Sequence, residues 1–176
     1  MRFMRLSRSI ATGLLFSLAL SACVPTSAVR SPAEIAAAQS AAALAQQGQF
    51  DQATQAYLNL AAQSPGHADS YRLLAAEAWW QEGQIERAAP VLDKIRRERL
   101  VGDEPLRLDL LRAELALNRH DPLSALRLTT QPNVQVPPSL ELRLLELRAR
   151  AMKASGDDWG AARTRVQMDD ELHGFD

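Results

Sequence analysis

The sequence predicts an all-α fold, a solenoid of about four antiparallel helical hairpins over residues 33–172. Apolar residues recur at helical spacing through this range, and no segment shows the sustained alternation and turn residues of a strand. An alanine also recurs in the second helix of each hairpin, in steps of about 35, 37 and 36 residues, at Ala53, Ala88, Ala125 and Ala161. Because a methyl group lets two helix backbones approach closely, we expect these four to be equivalent helix-crossing positions.

The step length is close to the period of about 34 residues found in tetratricopeptide repeats, so the array is predicted to be tetratricopeptide-like. A glycine stands before three of the four second helices, at Gly48, Gly83 and Gly156, and the remaining copy starts from His120 instead. Glycine commonly ends a helix because it adopts the left-handed backbone conformation without strain. These residues therefore mark the turns inside the hairpins.

The first hairpin is predicted from residues 33–47 and 50–62. Its first helix is alanine-rich and begins at Ser31-Pro32, a pattern typical of a helix start. In the second helix, Ala53, Tyr57 and Leu60 share one face, and Ser64-Pro65 stops the pattern.

The second hairpin is predicted from residues 68–82 and 86–98. Tyr71, Leu74 and Ala75 have the spacing of a contact face in its first helix. Pro90 falls about one turn into the second helix, where a missing backbone hydrogen bond matters least.

The third and fourth hairpins follow in the same order. Leucines on both faces of the helix that begins at Glu104 favour a position between two neighbouring helices, and its partner covers 121–130. A proline-rich break, 131–138, separates this hairpin from the last one, 139–155 and 158–172. In the helix 139–155 the side chains expected to face inward are Leu142, Leu145, Ala149 and Met152.

The N-terminus predicts a secretory leader over residues 1–22. Arg2, Arg5 and Arg8 precede an apolar run of about eleven residues, 10–20. A membrane-spanning helix needs roughly 20 residues, so this run is too short for a normal span. Its charged and apolar parts are those of a signal peptide.

The leader ends in Leu20-Ser21-Ala22-Cys23, which resembles the lipobox of bacterial lipoproteins. The resemblance implies cleavage before Cys23 and acylation of its thiol; the alternative is an ordinary secretory signal with a chance cysteine. Cys23 is the single cysteine of the chain, so none is left for a disulfide, a metal cluster or a thiol nucleophile.

By the same resemblance, the residue after the lipidated cysteine influences sorting between membranes. An aspartate there commonly retains a lipoprotein in the inner membrane, whereas this chain has Val24. The implied location is the outer membrane, lipid-anchored and facing the periplasm. Residues 23–32, rich in proline and serine, are predicted to form the lipidated cysteine and a flexible tether.

Composition and motifs argue against an enzyme. The net charge of -1 and a pI near 6.3 provide no basic field for nucleic acid. Phosphate loops, dinucleotide fingerprints and the Gly-x-Ser-x-Gly elbow are missing from the sequence, so we expect no cofactor and no small-molecule substrate. His67, His120 and His173 are too far apart in sequence to favour a metal site. Asp157 and Asp158 most simply cap a helix.

Four residues form the candidate binding surface: Trp79, Trp80, Arg96 and Arg97. Adjacent tryptophans point about 100° apart on a helix, so one is expected to lie exposed or in a groove, although core packing is the alternative for at least one. Arg96 and Arg97 belong to a basic stretch, 94–99, that either docks an acidic partner or forms a solvated face at a helix C-terminus.

Residues 142–152, followed by Gly156-Asp157 and 161–166, are similar to the closing helical pair of the LpoA-type penicillin-binding protein activators. The similarity extends over nearly the whole chain after Cys23. It implies a non-catalytic outer-membrane lipoprotein whose partner is a bifunctional penicillin-binding protein, a peptidoglycan synthase. Scaffold lipoproteins for outer-membrane protein or pilus secretin assembly are the competing class, since they also join a lipobox to tetratricopeptide repeats.

The sequence departs from the activator family at its end. That family continues into a large domain resembling periplasmic ligand-binding proteins, to which the synthase contact is usually attributed, whereas here only a short tail, 173–176, follows the array. We expect either a fragment of a longer activator or a stand-alone helical module, and no activating residue is assigned.

Overall fold

The computed structural model describes residues 29–130 and 136–173, and within them all regular structure is helical. The helices are α1 (Pro32–Gln46), α2 (Phe50–Gln63), α3 (Ala68–Gln81), α4 (Ile85–Leu92), α5 (Glu104–Asn118), α6 (Pro122–Thr129), α7 (Pro138–Ala154) and α8 (Asp158–His173), with a short 3-10 helix, Arg97–Arg99, before α5. The predicted all-α class is confirmed for this part of the chain. The leader, Cys23 and most of the tether lie outside the described residues.

Three clusters of buried side chains follow one another along the helix order. The first lies between α1, α2 and α3, the second between α3, α4 and α5, and the third between α5, α6 and α7. Helices α3 and α5 therefore each take part in two clusters. The two-faced burial predicted for the third hairpin is confirmed, since Leu108 and Leu111 face the second cluster while Leu110 and Ala113 face the third.

Four helices end in the same hydrogen-bonded turn. In the first, the amide of Gln49 donates to the carbonyl of Leu44 at 2.9 Å, and Gly48 has a φ of 76°. The turn recurs at Gly83, His120 and Gly156, with φ values of 79°, 58° and 88°. After each of these turns the next helix begins two residues later.

His120 carries a side chain in a backbone conformation that its three counterparts fill with glycine. We expect His120→Gly to stabilise the protein by about 0.5–1 kcal/mol, because relief of left-handed strain, roughly 1–2 kcal/mol, exceeds the added entropy of the unfolded chain. The imidazole is exposed, so no buried contact is lost. Urea unfolding measures the difference.

Gly156→Ala is the matched control. A methyl group there would meet no atom within 4 Å, so its cost, about 1 kcal/mol, is conformational. A neutral Gly156→Ala together with a destabilising His120→Gly would contradict this interpretation.

The four recurring alanines are all buried, with exposures of 0, 0, 0 and 1% for Ala53, Ala88, Ala125 and Ala161. Ala88 lies in the second cluster, between α4 and its neighbours. Ala88→Leu is expected to lower the free energy of unfolding by about 1–3 kcal/mol, since the extra carbons have no space in a close helix contact.

Ala62→Leu is the comparison for that variant, because Ala62 is exposed near the end of α2. Exposed substitutions of this kind usually change stability by about 0.5 kcal/mol or less. Equal urea midpoints for the two variants would argue against the repeat alignment.

The prediction for the second helix of the second hairpin was wrong at its C-terminus. Helix α4 ends at Leu92 rather than near Glu98. The guanidinium of Arg112, on α5, donates to the carbonyl of Leu92 at 2.9 Å and to that of Ile95 at 3.3 Å. These carbonyls are thereby satisfied from another helix, and the basic residues of 94–99 lie beyond α4.

A second correction concerns Leu142, which was expected to face inward. It is 37% exposed, while Leu145 and Ala149 are buried as expected. The remaining buried positions of α7 include Leu144, Leu147 and Ala151, which contribute to the third cluster.

Candidate functional site

The two adjacent tryptophans lie at the end of α3, and both are partly buried against the second cluster. An arginine covers each ring: the guanidinium carbon of Arg87 is 5.3 Å from the ring centroid of Trp79, and that of Arg143 is 3.7 Å from that of Trp80. The strongly exposed tryptophan is instead Trp159, on α8, at 84%. The sequence did not single it out.

The stacked pair Trp80 and Arg143 joins helices that are far apart in sequence. Trp80 belongs to α3 and Arg143 to α7, while α5 contacts both helices. A guanidinium over an indole face gains cation-π attraction, which grows as the pair is desolvated. The pair therefore lies where side chains of three helices meet.

Arg143 is held there with part of its hydrogen-bonding capacity unused. Its Nε and Nη2 atoms are buried and have no hydrogen-bond partner among the described residues. Burial is the strongest influence on this group and lowers the pKa of Arg143, although the charges of Glu77 and Glu114 act to raise it. The side chain remains charged, because the ordinary arginine pKa is far above neutrality.

Two ion pairs contain the carboxylates whose charges act on Arg143. Glu77, on α3, accepts a hydrogen bond from Nε of Arg107 at 2.7 Å, and its other oxygen accepts one from Nη2 of the same arginine. Glu114, on α5, receives both terminal nitrogens of Arg150 at 2.9 and 3.1 Å. Both carboxylates are thus hydrogen-bonded to other arginines, and they act on Arg143 through their charges.

A pocket of about 290 Å³ opens beside this arrangement. It is lined by Trp80, Gly83, Ile85, Glu114, Leu117, Asn118 and Arg150. We call the pocket together with the stacked arginine the Trp80–Arg143 site. The pocket lining supplies an aromatic wall, aliphatic side chains and the Glu114–Arg150 ion pair, and the stacked Arg143 adds a cation beside it. An aromatic side chain and arginine are the residue types enriched where proteins bind peptide segments.

The other two predicted surface residues have structural partners. Arg97 donates from Nε at 3.1 Å and from Nη2 at 2.9 Å to Oδ2 of Asp109. Nε of Arg96 lies 3.4 Å from Oδ2 of Asp69, and Arg72 contacts the other oxygen of that aspartate at 2.7 Å. Both arginines are about half exposed, but their charges compensate buried carboxylates.

Sequence reasoning missed those carboxylates. Asp69 and Asp109 are 4% and 2% exposed. Asp109 stands between leucines at an otherwise apolar position of α5, and this was a usable signal. Asp69 gave none, since an acidic residue in the first turn of a helix is ordinarily a favourable surface residue.

Capping of the last helix is confirmed for Asp157. Its Oδ1 accepts a hydrogen bond from the amide of Gly160 at 2.8 Å. Among the described side chains, no group of three or more His, Cys, Asp or Glu residues is arranged to hold a metal ion. None of the described helices combines the length and apolar character needed to cross a membrane.

A comparison with protein-family models matches residues 47–176 to the family described as LppC putative lipoprotein. This match covers most of the chain, from the end of α1 onward. The chain belongs to the LppC putative lipoprotein family. No curated protein and no solved structure matched it.

Family membership supports the lipoprotein interpretation of the sequence. The LppC match begins at residue 47, after the leader, and it therefore supports that interpretation independently of the lipobox. It also includes α3, α5 and α7, the helices that build the Trp80–Arg143 site. Acylation of Cys23 itself stays a prediction, because that residue lies outside both the match and the described residues.

Proposed function

We propose that this protein is a non-catalytic lipoprotein of the outer membrane that activates a bifunctional penicillin-binding protein through protein–protein contacts. The observation that carries the proposal is membership of a lipoprotein family over residues 47–176. The similarity of 142–152 and 161–166 to LpoA-type activators supports a bifunctional penicillin-binding protein as the partner and the outer membrane as the compartment. The lipobox and Val24 support a location in the outer membrane, facing the periplasm.

The proposed architecture is a tetratricopeptide-like solenoid of four hairpins. Four equivalent turns, four buried alanines at matching positions and the succession of three core clusters support it. Solenoids bind partners along an extended surface formed by successive repeats. The Trp80–Arg143 site is also formed by helices of successive hairpins, α3, α5 and α7.

The Trp80–Arg143 site is the proposed point of contact on this chain. The buried Nε and Nη2 atoms of Arg143 have no hydrogen-bond partner among the described residues, which is unfavourable for a charged group. A side-chain rearrangement that exposes these atoms would let a partner's carboxylate form a charge-assisted hydrogen bond without displacing an internal one. Such bonds contribute about 1.5–3 kcal/mol, which corresponds to at least a tenfold change in affinity. We therefore expect an acidic segment of the synthase to bind here.

Affinity capture from detergent-solubilised envelopes tests the proposal, with the full chain as bait and mass spectrometry to identify what is retained. A bifunctional penicillin-binding protein should be enriched, and purified chain should stimulate its glycan polymerisation. Enrichment of outer-membrane assembly or pilus secretin components, without the synthase, would move the protein to the scaffold class.

Arg143→Gln is the matched variant, because it removes the cation and keeps most of the side-chain volume. Capture of the synthase should fall about tenfold or more. Arg127→Gln, which changes an exposed arginine on α6, should leave capture unchanged, as should Trp159→Ala on α8. Equal capture by Arg143→Gln and the unsubstituted chain would remove the site from the proposal.

A further inference from the structure

A second surface lies where the described chain begins. Val29, Ile35 and Val101 are exposed aliphatic side chains, at 95, 44 and 65%. They line one groove of about 470 Å³ together with Arg30, Gly66, His67, Ser70 and Arg99. We call the five residues Val29, Arg30, Ile35, Arg99 and Val101 the N-terminal patch.

The N-terminal patch is built from segments distant in sequence. Val29 and Ile35 belong to the start of α1 and the residues before it, whereas Val101 follows the 3-10 helix. Contacts between α1 and α3 fix this arrangement: Oε1 of Glu34 accepts a hydrogen bond from Tyr71 at 2.8 Å and lies 2.8 Å from Nδ1 of His67. Three exposed aliphatic side chains are thus held at one edge of the protein.

The charges around the N-terminal patch favour an anionic partner. Arg30 and Arg99 form no ion pair within the described residues, and Arg30 lies over the ring of Tyr71, 5.6 Å from its centroid. The carboxylate of Glu34 is engaged as described above, and Oε2 of Glu104 accepts from Ser70 at 2.9 Å and from the amide of Val101 at 3.0 Å. Arg96 and Arg97 are paired with Asp69 and Asp109, so Arg30 and Arg99 are the cations that the patch offers to an anionic partner.

The sequence brings this surface close to the predicted lipid anchor. Cys23 stands six residues before Val29. Six residues of fully extended chain span at most about 20 Å. A bilayer that holds the acyl chains of Cys23 is therefore within about 20 Å of the N-terminal patch.

We propose that the N-terminal patch docks on the anionic phospholipid surface of the leaflet that holds the Cys23 anchor, and so orients the helical array relative to the membrane. Aliphatic side chains bordered by arginines are the composition that binds at a headgroup boundary. The patch is small, but a short tether supplies a high effective concentration, so a weak contact is sufficient. This inference rests on the lipid anchor proposed above and is independent of the synthase contact.

The test uses the full acylated chain in vesicles. Because acylation blocks Cys23, the single native cysteine, Val101→Cys introduces one free thiol for an environment-sensitive dye. Arg163→Cys, at an exposed position of α8, carries the same dye as the matched control. Lipids with a quencher near the headgroup report contact, in vesicles rich in phosphatidylglycerol and in vesicles of phosphatidylcholine alone.

Docking predicts strong quenching at position 101 and little at 163 in phosphatidylglycerol vesicles, with the difference lost in phosphatidylcholine. Adding Arg30→Gln and Arg99→Gln should reduce quenching at 101 to the level at 163. Equal quenching at the two positions, or no effect of the arginine substitutions, would overturn the proposal. The mass of the N-terminal peptide reports acylation separately, so a missing anchor is distinguished from a missing contact.

Discussion

Cys23→Ala is expected to abolish acylation and release the protein from membranes. The thiol is the acceptor of the lipid, and alanine offers no atom for that bond. One fatty acyl chain gives only marginal, reversible membrane binding, with an association constant of about 10⁴ M⁻¹, whereas the modified cysteine would carry several chains. The expected change is therefore from complete membrane association to a chain found in the periplasmic fraction or retained as an unprocessed precursor.

Mass spectrometry of the mature N-terminus and membrane fractionation provide the two measurements. The unsubstituted chain should begin at a Cys23 whose mass includes the acyl groups. Pro25→Ala, just beyond the lipobox, should be processed and fractionated normally. An unmodified N-terminus at another residue of the unsubstituted chain, or a Cys23→Ala chain that is cleaved and fractionates as the unsubstituted chain does, would favour the ordinary secretory signal instead.

The features that could be predicted from the sequence depend on residues close together in the chain. Helical spacing of apolar residues and turn glycines is local, so the helices and most of their ends follow from it. The two-faced apolar pattern around Leu108 and Leu110 also predicted correctly that α5 lies between neighbours. His120 shows that the backbone demand of a turn persists even where the usual glycine is replaced.

The features that could not be predicted depend on contacts between distant residues. Arg112 of α5 donates to the carbonyls of Leu92, where α4 ends, and of Ile95 beyond it, and local propensity contains no information about that arginine. Likewise, Trp80 is covered by Arg143, which lies on α7. The composition of a site shared by several helices is therefore visible only once the tertiary contacts are known.

The arginines of the basic stretch 94–99 differ in their ion pairs, and this difference also depends on contacts between distant residues. The sequence analysis placed Arg96 and Arg97 in the candidate binding surface because they are cations in one short basic stretch. The structure divides them: Arg97 compensates a buried aspartate, whereas Arg99 is exposed and has no ion pair within the described residues. This difference allows two arginines of the same 3-10 helix to be compared directly.

Arg97→Ala is expected to lower the free energy of unfolding by about 2–3 kcal/mol, because the buried carboxylate of Asp109 loses charge-assisted hydrogen bonds from a half-exposed arginine. Asp109 is 2% exposed on the central helix α5 and accepts hydrogen bonds from both Nε and Nη2 of Arg97, so water cannot fully replace this partner in the folded state. Urea unfolding gives the difference, and hydrogen exchange should show faster opening of 93–103, the segment that Arg97 fastens to α5.

Arg99→Ala is the control, since it removes an exposed arginine two residues away and should change stability by about 0.5 kcal/mol or less. Combining Arg97→Ala with Asp109→Asn should cost less than the sum of the single changes, because the neutral side chain no longer needs a cation. Equal losses for Arg97→Ala and Arg99→Ala would mean that the pair contributes no more than an exposed charge. A difference of about 2 kcal/mol or more would instead show that Arg97 stabilises the fold through Asp109.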